Sequence, residues 1–314
     1  MPKIIVTGSI AYDYLLKYST PFEDVLLPNK LNSLSVCFVV DHKERHFGGT
    51  AGNIAYNFYL LKEKPILIAD VGADFQEYEN RIRTWQIPTN FIRVHQNIET
   101  PLAIITTDIN GHQITQFYPG ALLKKPQTNL AQIFKKTNLI LIAPEPKKRM
   151  LYYIKTAKKA KTNYFFDPGQ NIPTFTKAEL LEAIHDSTGI FVNDYEYEIL
   201  KLKTKLSAIE ILKYTQNLII TLGSKGSLIY SKNYKNGLKI PALSSSKPQD
   251  PTGCGDAYRA GFLKGYLDNK PLEICGKMGA LLGTYVLEKN GTQTHHFTPD
   301  NFKKKYHRAF KADL

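Results

Sequence analysis

The feature that most constrains the fold is an alternation of short apolar runs with longer amphipathic segments. The runs have the length of strands and the segments have the length of helices, a pattern typical of parallel sheets with right-handed crossovers. We therefore predict an α/β fold with a doubly wound, mostly parallel sheet, in which ligands bind beyond the carboxyl ends of the strands. The predicted strands are 4–7, 66–71, 139–143, 164–166, 189–192 and 218–222, and the predicted helices include 53–62, 147–158, 178–185 and 194–202.

This alternation is interrupted in two stretches, 34–47 and 100–118. In the second stretch, the β-branched and aromatic runs 104–107 and 113–117 flank the turn residues Asp108 to Gly111, which predicts a β-hairpin. Strands without crossover helices cannot easily join a parallel sheet. We expect one domain over residues 1–314 with a small β-sheet lid built from roughly 12–47 and 98–121. An ordinary edge hairpin is the alternative.

The composition excludes several classes of protein. The net charge of +13 comes from dispersed, mostly lysine residues, which favours a solvated surface over a nucleic-acid partner. Cys37, Cys254 and Cys275 are odd in number and form no CxxC pair, which indicates free thiols in a reducing compartment. The chain has no apolar run of about 18 residues, so we expect a cytoplasmic protein without a membrane partner.

The most informative segment is 250–256, Asp-Pro-Thr-Gly-Cys-Gly-Asp, at the start of a predicted helix. Gly253 and Gly255 allow a tight turn that presents backbone N–H groups to an anion. Asp256 beside such an anion would repel it unless the carboxylate has another task. Accepting the proton of an attacking hydroxyl is such a task in phosphoryl transfer. An acidic residue that only stabilises the first turn of a helix is the structural alternative.

Other common site signatures are absent from the sequence. Tyr258 takes the place of the third glycine of a dinucleotide-binding loop, and neither a Walker sequence nor a GxSxG or HExxH motif occurs. His295 and His296 have no companion ligands nearby, and we interpret both as surface residues. These absences argue against a dehydrogenase, a P-loop NTPase, a hydrolase and a zinc protease.

The segment 250–256 resembles the second signature, D-T-x-G-A-G-D, of the ribokinase-like, or PfkB, family of small-molecule kinases. Pro251 and Cys254 replace the usual threonine and alanine. The resemblance implies that Asp256 is the catalytic base and that ATP and Mg²⁺ are the cofactors. It also implies an anion hole made by the N–H groups of Gly253, Cys254, Gly255 and Asp256.

Two further motifs precede this segment in the order of the same family. Asp13 ends the sequence Gly-x-x-x-x-Asp after the first strand, and it resembles the family aspartate that holds substrate hydroxyls. A carboxylate can accept hydrogen bonds from both hydroxyls of a diol. Gly48, Gly49 and Asn53 resemble the first signature, in which the glycines approach the substrate and the asparagine binds a sugar hydroxyl. A turn or helix cap is the structural alternative for each motif.

The remaining motifs resemble the nucleotide side of the family. Asn193 and Glu196 match N-x-x-E, which implies that Glu196 positions Mg²⁺ through water, although the same pair also predicts a helix capping box. Asp250 is a candidate contact for a monovalent cation such as K⁺. The resemblance, from about residue 3 to residue 295, implies the following ATP-binding residues: Asn193, Thr221, Gly223, Gly226, Ala280, Gly283 and Asn290.

Three strings, 113–121, 166–170 and 250–259, resemble the prokaryotic adenosine and nucleoside kinase branch of the family. This implies ATP-dependent phosphorylation of a nucleoside 5′-hydroxyl, adenosine before others, and a place in purine salvage. Phe117 and Tyr118 would present an aromatic face to a purine or else pack the lid onto the main domain, and Gln170 would contact the substrate. A sugar kinase of the same fold stays open, as does a noncatalytic nucleic-acid-binding protein, and the family's lid implies a possible homodimer.

Overall fold

A computed structural model describes residues 3–33, 35–245 and 247–314 of the protein. The described residues form two β-sheets and a set of surrounding helices. Leu34, inside the predicted lid, and residues 1–2 of the predicted domain lie outside the described residues. The strands are β1 (Ile4–Thr7), β2 (Ala11–Lys17), β3 (His42–Gly48), β4 (Ile66–Gly72), β5 (Ile92–His95), β6 (Leu102–Thr107), β7 (Gln113–Tyr118), β8 (Leu139–Ile142), β9 (Tyr164–Phe166), β10 (Gly189–Asn193), β11 (Asn217–Thr221), β12 (Ser227–Ser231) and β13 (Tyr234–Ile240).

The α-helices follow most of the strands of the larger sheet. They are α1 (Thr50–Leu60), α2 (Gln76–Thr84), α3 (Ala131–Lys135), α4 (Lys147–Ala160), α5 (Lys177–Ile184), α6 (Asp194–Thr204), α7 (Ala208–Ile211), α8 (Cys254–Leu267), α9 (Leu272–Leu287) and α10 (Pro299–Phe310). Within the described ranges, none of them is long and apolar enough to cross a membrane.

Nine strands of the described chain form the larger sheet, in the order β13-β12-β11-β10-β9-β8-β1-β4-β5. The strands from β11 to β5 run parallel, whereas β12 pairs antiparallel with both β11 and β13. Helices cover both faces: Ile4 and Val6 of β1 belong to the cluster that contains α1, α8 and α9, whereas Ile5 belongs to the cluster that contains α4 and α5. This confirms the predicted α/β fold with a doubly wound, mostly parallel sheet.

The predicted strands agree with the structure to within one residue, because each is a continuous apolar run that is buried on both faces. In the larger sheet, β5, β12 and β13 were not predicted from the sequence. β5 and β13 are the two edge strands and β12 lies next to β13, and polar residues interrupt the apolar run in all three. These strands therefore lack the signal that identified the central strands.

Four strands form a smaller sheet, the lid sheet, in the order β3-β2-β6-β7. β6 and β7 make the predicted antiparallel hairpin, and β2 pairs antiparallel with β3 and parallel with β6. Only residues 8–10 separate β2 from β1 of the larger sheet. The small β-sheet of the predicted fold is thus confirmed, while the division of the chain into one domain with this lid stays a prediction.

Helices α8 and α9 cross closely because small residues lie at their contact. A Cβ atom on Gly279 of α9 would lie 2.8 Å from the carbonyl oxygen of Tyr258 in α8. One turn further along α9, a Cβ on Gly283 would lie 3.5 Å from the Cys254 carbonyl oxygen, which is an ordinary contact. The two glycines therefore differ in how closely α8 approaches them.

We predict that Gly279→Ala lowers the free energy of unfolding by about 1–3 kcal/mol, because α8 must move away from the new methyl group. Gly283→Ala is the matched control in the same helix. It should leave stability unchanged or raise it by about 0.5–1 kcal/mol through helix propensity. Urea denaturation of both variants measures the difference, and equal stabilities would contradict the close crossing.

Candidate active site

The predicted base and a predicted substrate residue meet at the first turns of two helices. Asp256 lies in the first turn of α8 and Asn53 in the first turn of α1. The Asn53 side-chain nitrogen donates to Asp256 Oδ2 at 2.8 Å, across 203 residues of sequence. The fold therefore brings together two motifs that lie far apart in the chain.

Asp256 has the electrostatic environment of a usable base. Burial raises the pKa of its carboxyl from 3.8 to about 6, while Arg259 and the hydrogen bond from Asn53 act in the opposite direction. A carboxylate with a pKa near 6 is ionised at neutral pH, and it binds a proton more strongly than an exposed aspartate does. The site can therefore accept a proton from a hydroxyl.

The structure adds Arg259 and Asp167 to this site, and the sequence analysis had assigned them no role. Arg259 Nη2 donates to Asp167 Oδ1 at 2.8 Å, and both side chains are buried. A Cβ atom on Gly255 would lie 2.9 Å from Arg259 Nη1, so the guanidinium lies directly against the glycine loop. Asp256 and Arg259 are three residues apart on a helix, a spacing that places them on one side and was the available signal.

The glycine loop has open N–H groups at the start of α8. Gly253 has φ +80°, and a side chain there would also meet Thr292 Cγ2 at 2.8 Å. Cys254 N donates to the Pro251 carbonyl at 3.2 Å, whereas no partner is recorded within the described chain for the N–H groups of Gly253, Gly255 and Asp256. Three of the four predicted anion-hole donors are thus free to bind an anion, which the helix N-terminus also attracts.

The side chain of Cys254 is not a reactive thiol. Its Sγ donates to the Gly283 carbonyl at 3.4 Å. Burial raises the pKa of this thiol to about 12, and the nearby Asp250 and Asp256 act in the same direction. A neutral thiol adds no charge to the anion loop, so cysteine can replace alanine here.

Asp13 lies on β2 and is only 8% exposed. Its carboxylate occupies the space where a side chain on Gly48 would lie, so Gly48 is needed to make room for it. Among the described residues its oxygens have no recorded hydrogen-bond donor. Burial, followed by repulsion from Asp256 and Asp250, raises the pKa of Asp13 to about 7. An unpartnered buried carboxylate is costly, which indicates that the site is built for donors supplied by a ligand.

Gly49 has a structural explanation. It precedes α1 with φ +80°, and a Cβ atom there would collide with Ile10 and Ala11 at the start of β2. The close approach of β2 therefore accounts for this glycine without a ligand. A substrate contact through Gly49 stays a prediction.

Gly223 and Gly226, two of the predicted ATP-binding residues, differ in whether the packing of the fold explains them. A Cβ atom on Gly223 would meet no heavy atom within 4 Å, so this turn after Thr221 is open to a ligand. A Cβ on Gly226 would collide with the Ile240 carbonyl, so Gly226 is required by the packing of β12 beside β13. Gly223 is therefore the better supported of the two contacts.

The other predicted nucleotide residues lie around the glycine loop. Gly283 is next to the loop through its bond with Cys254, and Ala280 lies one turn before it on α9. Asn290 lines a cavity of about 540 Å³ between the lid sheet and residues 249–252. Its lining includes neither Thr221 nor Gly223. An adenine contact through Asn290 stays a prediction.

The predicted capping box at the start of α6 is present. Asn193 Oδ1 accepts from Glu196 N at 2.7 Å, and Glu196 Oε2 accepts from Asn193 N at 2.8 Å. Burial raises the pKa of Glu196, and Asp167 adds to the effect. No group of three or more His, Cys, Asp or Glu side chains in the described ranges is arranged to hold a metal ion. A position for Glu196 near Mg²⁺ through water stays a prediction, because the capping box explains this pair of residues without a metal.

Asp250, the predicted contact for a monovalent cation, stabilises the loop itself. Its Oδ1 accepts from Thr252 N at 2.9 Å, and its Oδ2 accepts from Gly291 N at 3.1 Å. The first hydrogen bond closes a turn within the loop, and the second ties the segments 250–256 and 290–293 together. The cation contact stays a prediction, because the structure explains Asp250 without it.

The strand register places Phe117 on the same face of the lid sheet as Asp13. Asp13 is paired with Ala103 of β6, and Ala103 is paired with Phe117 of β7. Paired residues point to the same face of a sheet, and the Phe117 ring is 48% exposed there. Tyr118 lies on the opposite face, so the prediction that both rings form one aromatic surface is wrong. Gln170 lies just after β9 with an exposed side chain.

The interpretation of His295 as a surface residue is also wrong. Its ring is buried against Tyr56, and its Nε2 lies 3.0 Å from Asn57 Oδ1. Burial lowers the pKa of His295 to about 4, so the ring is neutral. The chain after α9 returns across α1, and this long-range contact leaves no local signal in the sequence. His296 is exposed, as predicted.

Comparison with known proteins agrees with this geometry. The pfkB family carbohydrate kinase model matches residues 7–299. A nucleoside kinase of Methanocaldococcus jannaschii is 34% identical over 303 residues, which cover 94% of this chain and 93% of that protein.

Two solved structures of one enzyme show the same architecture. The Burkholderia thailandensis nucleoside kinase in complex with inosine is 33% identical, covers 99% of both chains and superposes with a TM-score of 0.90. Its structure in complex with ADP-inosine gives a TM-score of 0.88 at 33% identity and covers 99% of this chain and 97% of that chain. The family match, the fold and the meeting of Asp256, Asn53 and the glycine loop show that this chain belongs to the pfkB family of carbohydrate kinases.

Proposed function

We propose that the protein is an ATP-dependent nucleoside kinase that phosphorylates the 5′-hydroxyl of its substrate, with adenosine as the preferred nucleoside and AMP and ADP as products. The observation that carries this proposal is the partly buried Asp256 carboxylate, held by Asn53 beside the open N–H groups of the glycine loop. The relatives named as nucleoside kinases support the substrate class. The bound inosine of one relative supports a purine nucleoside.

The mechanism divides substrate binding and proton transfer between two carboxylates. Asp13 accepts hydrogen bonds from the ribose hydroxyls, which supply the donors that its buried oxygens lack. Asp256 accepts the proton of the 5′-hydroxyl as that oxygen forms its bond to the phosphorus atom and the bond to ADP breaks. The N–H groups of Gly253, Gly255 and Asp256 donate to the transferred phosphoryl group. Mg²⁺ bound with ATP would neutralise phosphate charge.

Phe117 favours a nucleoside over a free sugar. Its exposed ring lies on the face of the lid sheet that carries Asp13, two strands away. A nucleobase stacked on such a ring gains roughly 1–3 kcal/mol, which a free sugar cannot gain. The same arrangement gives no preference between purines, so the choice of adenosine rests on the resemblance to the adenosine kinase branch.

We predict ATP consumption with adenosine, less with inosine and cytidine, and little with ribose or fructose 6-phosphate. A coupled assay for ADP measures all five acceptors under one condition. Higher kcat/KM for ribose or fructose 6-phosphate than for every nucleoside would replace the proposal with a sugar kinase.

Asp256→Asn should lower kcat by about 10²- to 10⁴-fold, because the amide cannot accept the proton. In the unchanged enzyme, kcat should fall below about pH 6, where Asp256 becomes protonated. Asp300→Asn, an exposed aspartate in the first turn of α10, is the matched control and should keep full activity. Near-normal kcat in Asp256→Asn would remove this residue as the base.

Asp13→Asn should raise the KM for the nucleoside and also raise the Tm at pH 8. The pKa of Asp13 is about 7 in the folded protein and 3.8 in the unfolded chain. Between these values the folded state binds the extra proton, so ionisation of Asp13 lowers stability as the pH rises from about 4 to 7.

The gain in Tm for Asp13→Asn should therefore be much smaller near pH 4, where Asp13 is protonated in the folded state and partly protonated in the unfolded chain. Thermal denaturation at pH 4 and pH 8 measures this, with the exposed Asp24→Asn as the control. A lower Tm at pH 8 would show that Asp13 stabilises the fold and is not held for a ligand.

A further inference from the structure

The hydrogen bond from Asn53 to Asp256 is the last of a series of linked hydrogen bonds. Arg81 of α2 donates through Nε to Gln293 Oε1 at 3.4 Å and through Nη2 to the Gln293 carbonyl at 2.8 Å. Gln293 Nε2 donates to Asn53 Oδ1 at 3.0 Å, and Asn53 Nδ2 donates to Asp256 Oδ2 at 2.8 Å. The series thus runs from a guanidinium group through two amides to the carboxylate.

The two end groups fix the donor-to-acceptor direction of these linked hydrogen bonds. Arginine can only donate, and an ionised aspartate can only accept. Gln293 Nε2 also donates to the hydroxyl of Tyr78, whose own proton goes to the Gly48 carbonyl at 2.8 Å. Each amide therefore has one orientation that satisfies all its neighbours. Gln293 and Asn53 are both buried, so water cannot easily replace a lost partner.

Gln293 is the donor that holds the Asn53 amide. The Thr292 hydroxyl also lies 2.7 Å from Asn53 Oδ1, but it lies 3.0 Å from the Phe47 carbonyl as well. A hydroxyl has one proton and serves only one of these acceptors at a time. The Gln293 amide has two N–H groups, one for Asn53 and one for Tyr78.

We propose that Gln293 is a positioning residue for phosphoryl transfer, which fixes the Asn53 amide with its NH₂ group toward Asp256. The proposal rests on the proposed function, because it requires Asp256 to be the base. In the opposite orientation, the amide oxygen would face the carboxylate, and the lone pairs of the two groups would repel each other. Asp256 would then keep its proton to a higher pH.

Gln293→Glu tests this role with almost no change in side-chain size. A carboxylate at position 293 cannot donate to Asn53 Oδ1, so the Asn53 amide turns its NH₂ group toward the new acceptor and its oxygen toward Asp256. In the pH profile of kcat, we expect the acid limb to shift by about one unit to higher pH. At a pH below this limb, the shift lowers kcat about tenfold. The kcat at pH 9 should change much less.

Gln293→Met separates positioning from charge. It removes the donor without adding a negative group, and it should move the acid limb in the same direction by a smaller amount. If Gln293→Glu does not fold, Gln293→Met carries the same measurement. The other charged or titratable groups that act on Asp256 stay in place in both variants: Arg259 on its own helix, Cys254 in its loop, Asp167 after β9 and Asp13 on β2.

Gln127→Glu is the matched control, since Gln127 is another buried glutamine whose Nε2 donates to two backbone carbonyls away from the site. It should lower stability without moving the acid limb. An unmoved acid limb in both Gln293 variants, or a shift in Gln293→Glu alone, would overturn the positioning role. An unmodified protein without activity on any nucleoside would instead overturn the proposed function.

Discussion

The contact between Asn53 and Asp256 is the interaction on which the site depends, because it joins the two helices that carry the motifs. The Asp256 carboxylate lies in a partly buried site where desolvation raises its pKa, and the amide of Asn53 helps to keep it ionised near neutral pH by donating to it at 2.8 Å. Arg259, whose guanidinium lies against Gly255, adds a positive charge to the site. The Asp256 carboxylate therefore binds a proton more strongly than an exposed aspartate does, and it is still ionised at neutral pH. A general base that works at physiological pH needs both properties.

The central strands and the hairpin were predicted well from the sequence, because both depend on local patterns. Continuous apolar runs identify β1, β8 and β10, and the spacing of glycines and aspartate identifies the loop before α8. The edge strands were missed since half-exposed strands have no such run. His295 was misplaced and Gln293 was overlooked for one shared reason: their partners lie in α1 and α2, more than 200 residues away in the chain.

The glycines of the motifs show why a motif alone does not assign roles. Gly48 leaves room for the Asp13 carboxylate, and Gly253 allows the loop to turn with a positive φ beside Thr292, so both glycines are required by the local structure of the site. Gly49 and Gly226 are explained by backbone packing, whereas Gly223 borders open space. Only the three-dimensional surroundings distinguish a glycine that a ligand requires from one that the fold requires.

The two carboxylates of the site belong to different sheets of the molecule. Asp13 lies on the lid sheet, and Asp256 lies on a helix packed against the larger sheet, with only residues 8–10 joining β1 to β2. Any displacement of the smaller sheet therefore carries Asp13 away from Asp256. In the proposed mechanism, release of the product and separation of the two carboxylates would then be a single event.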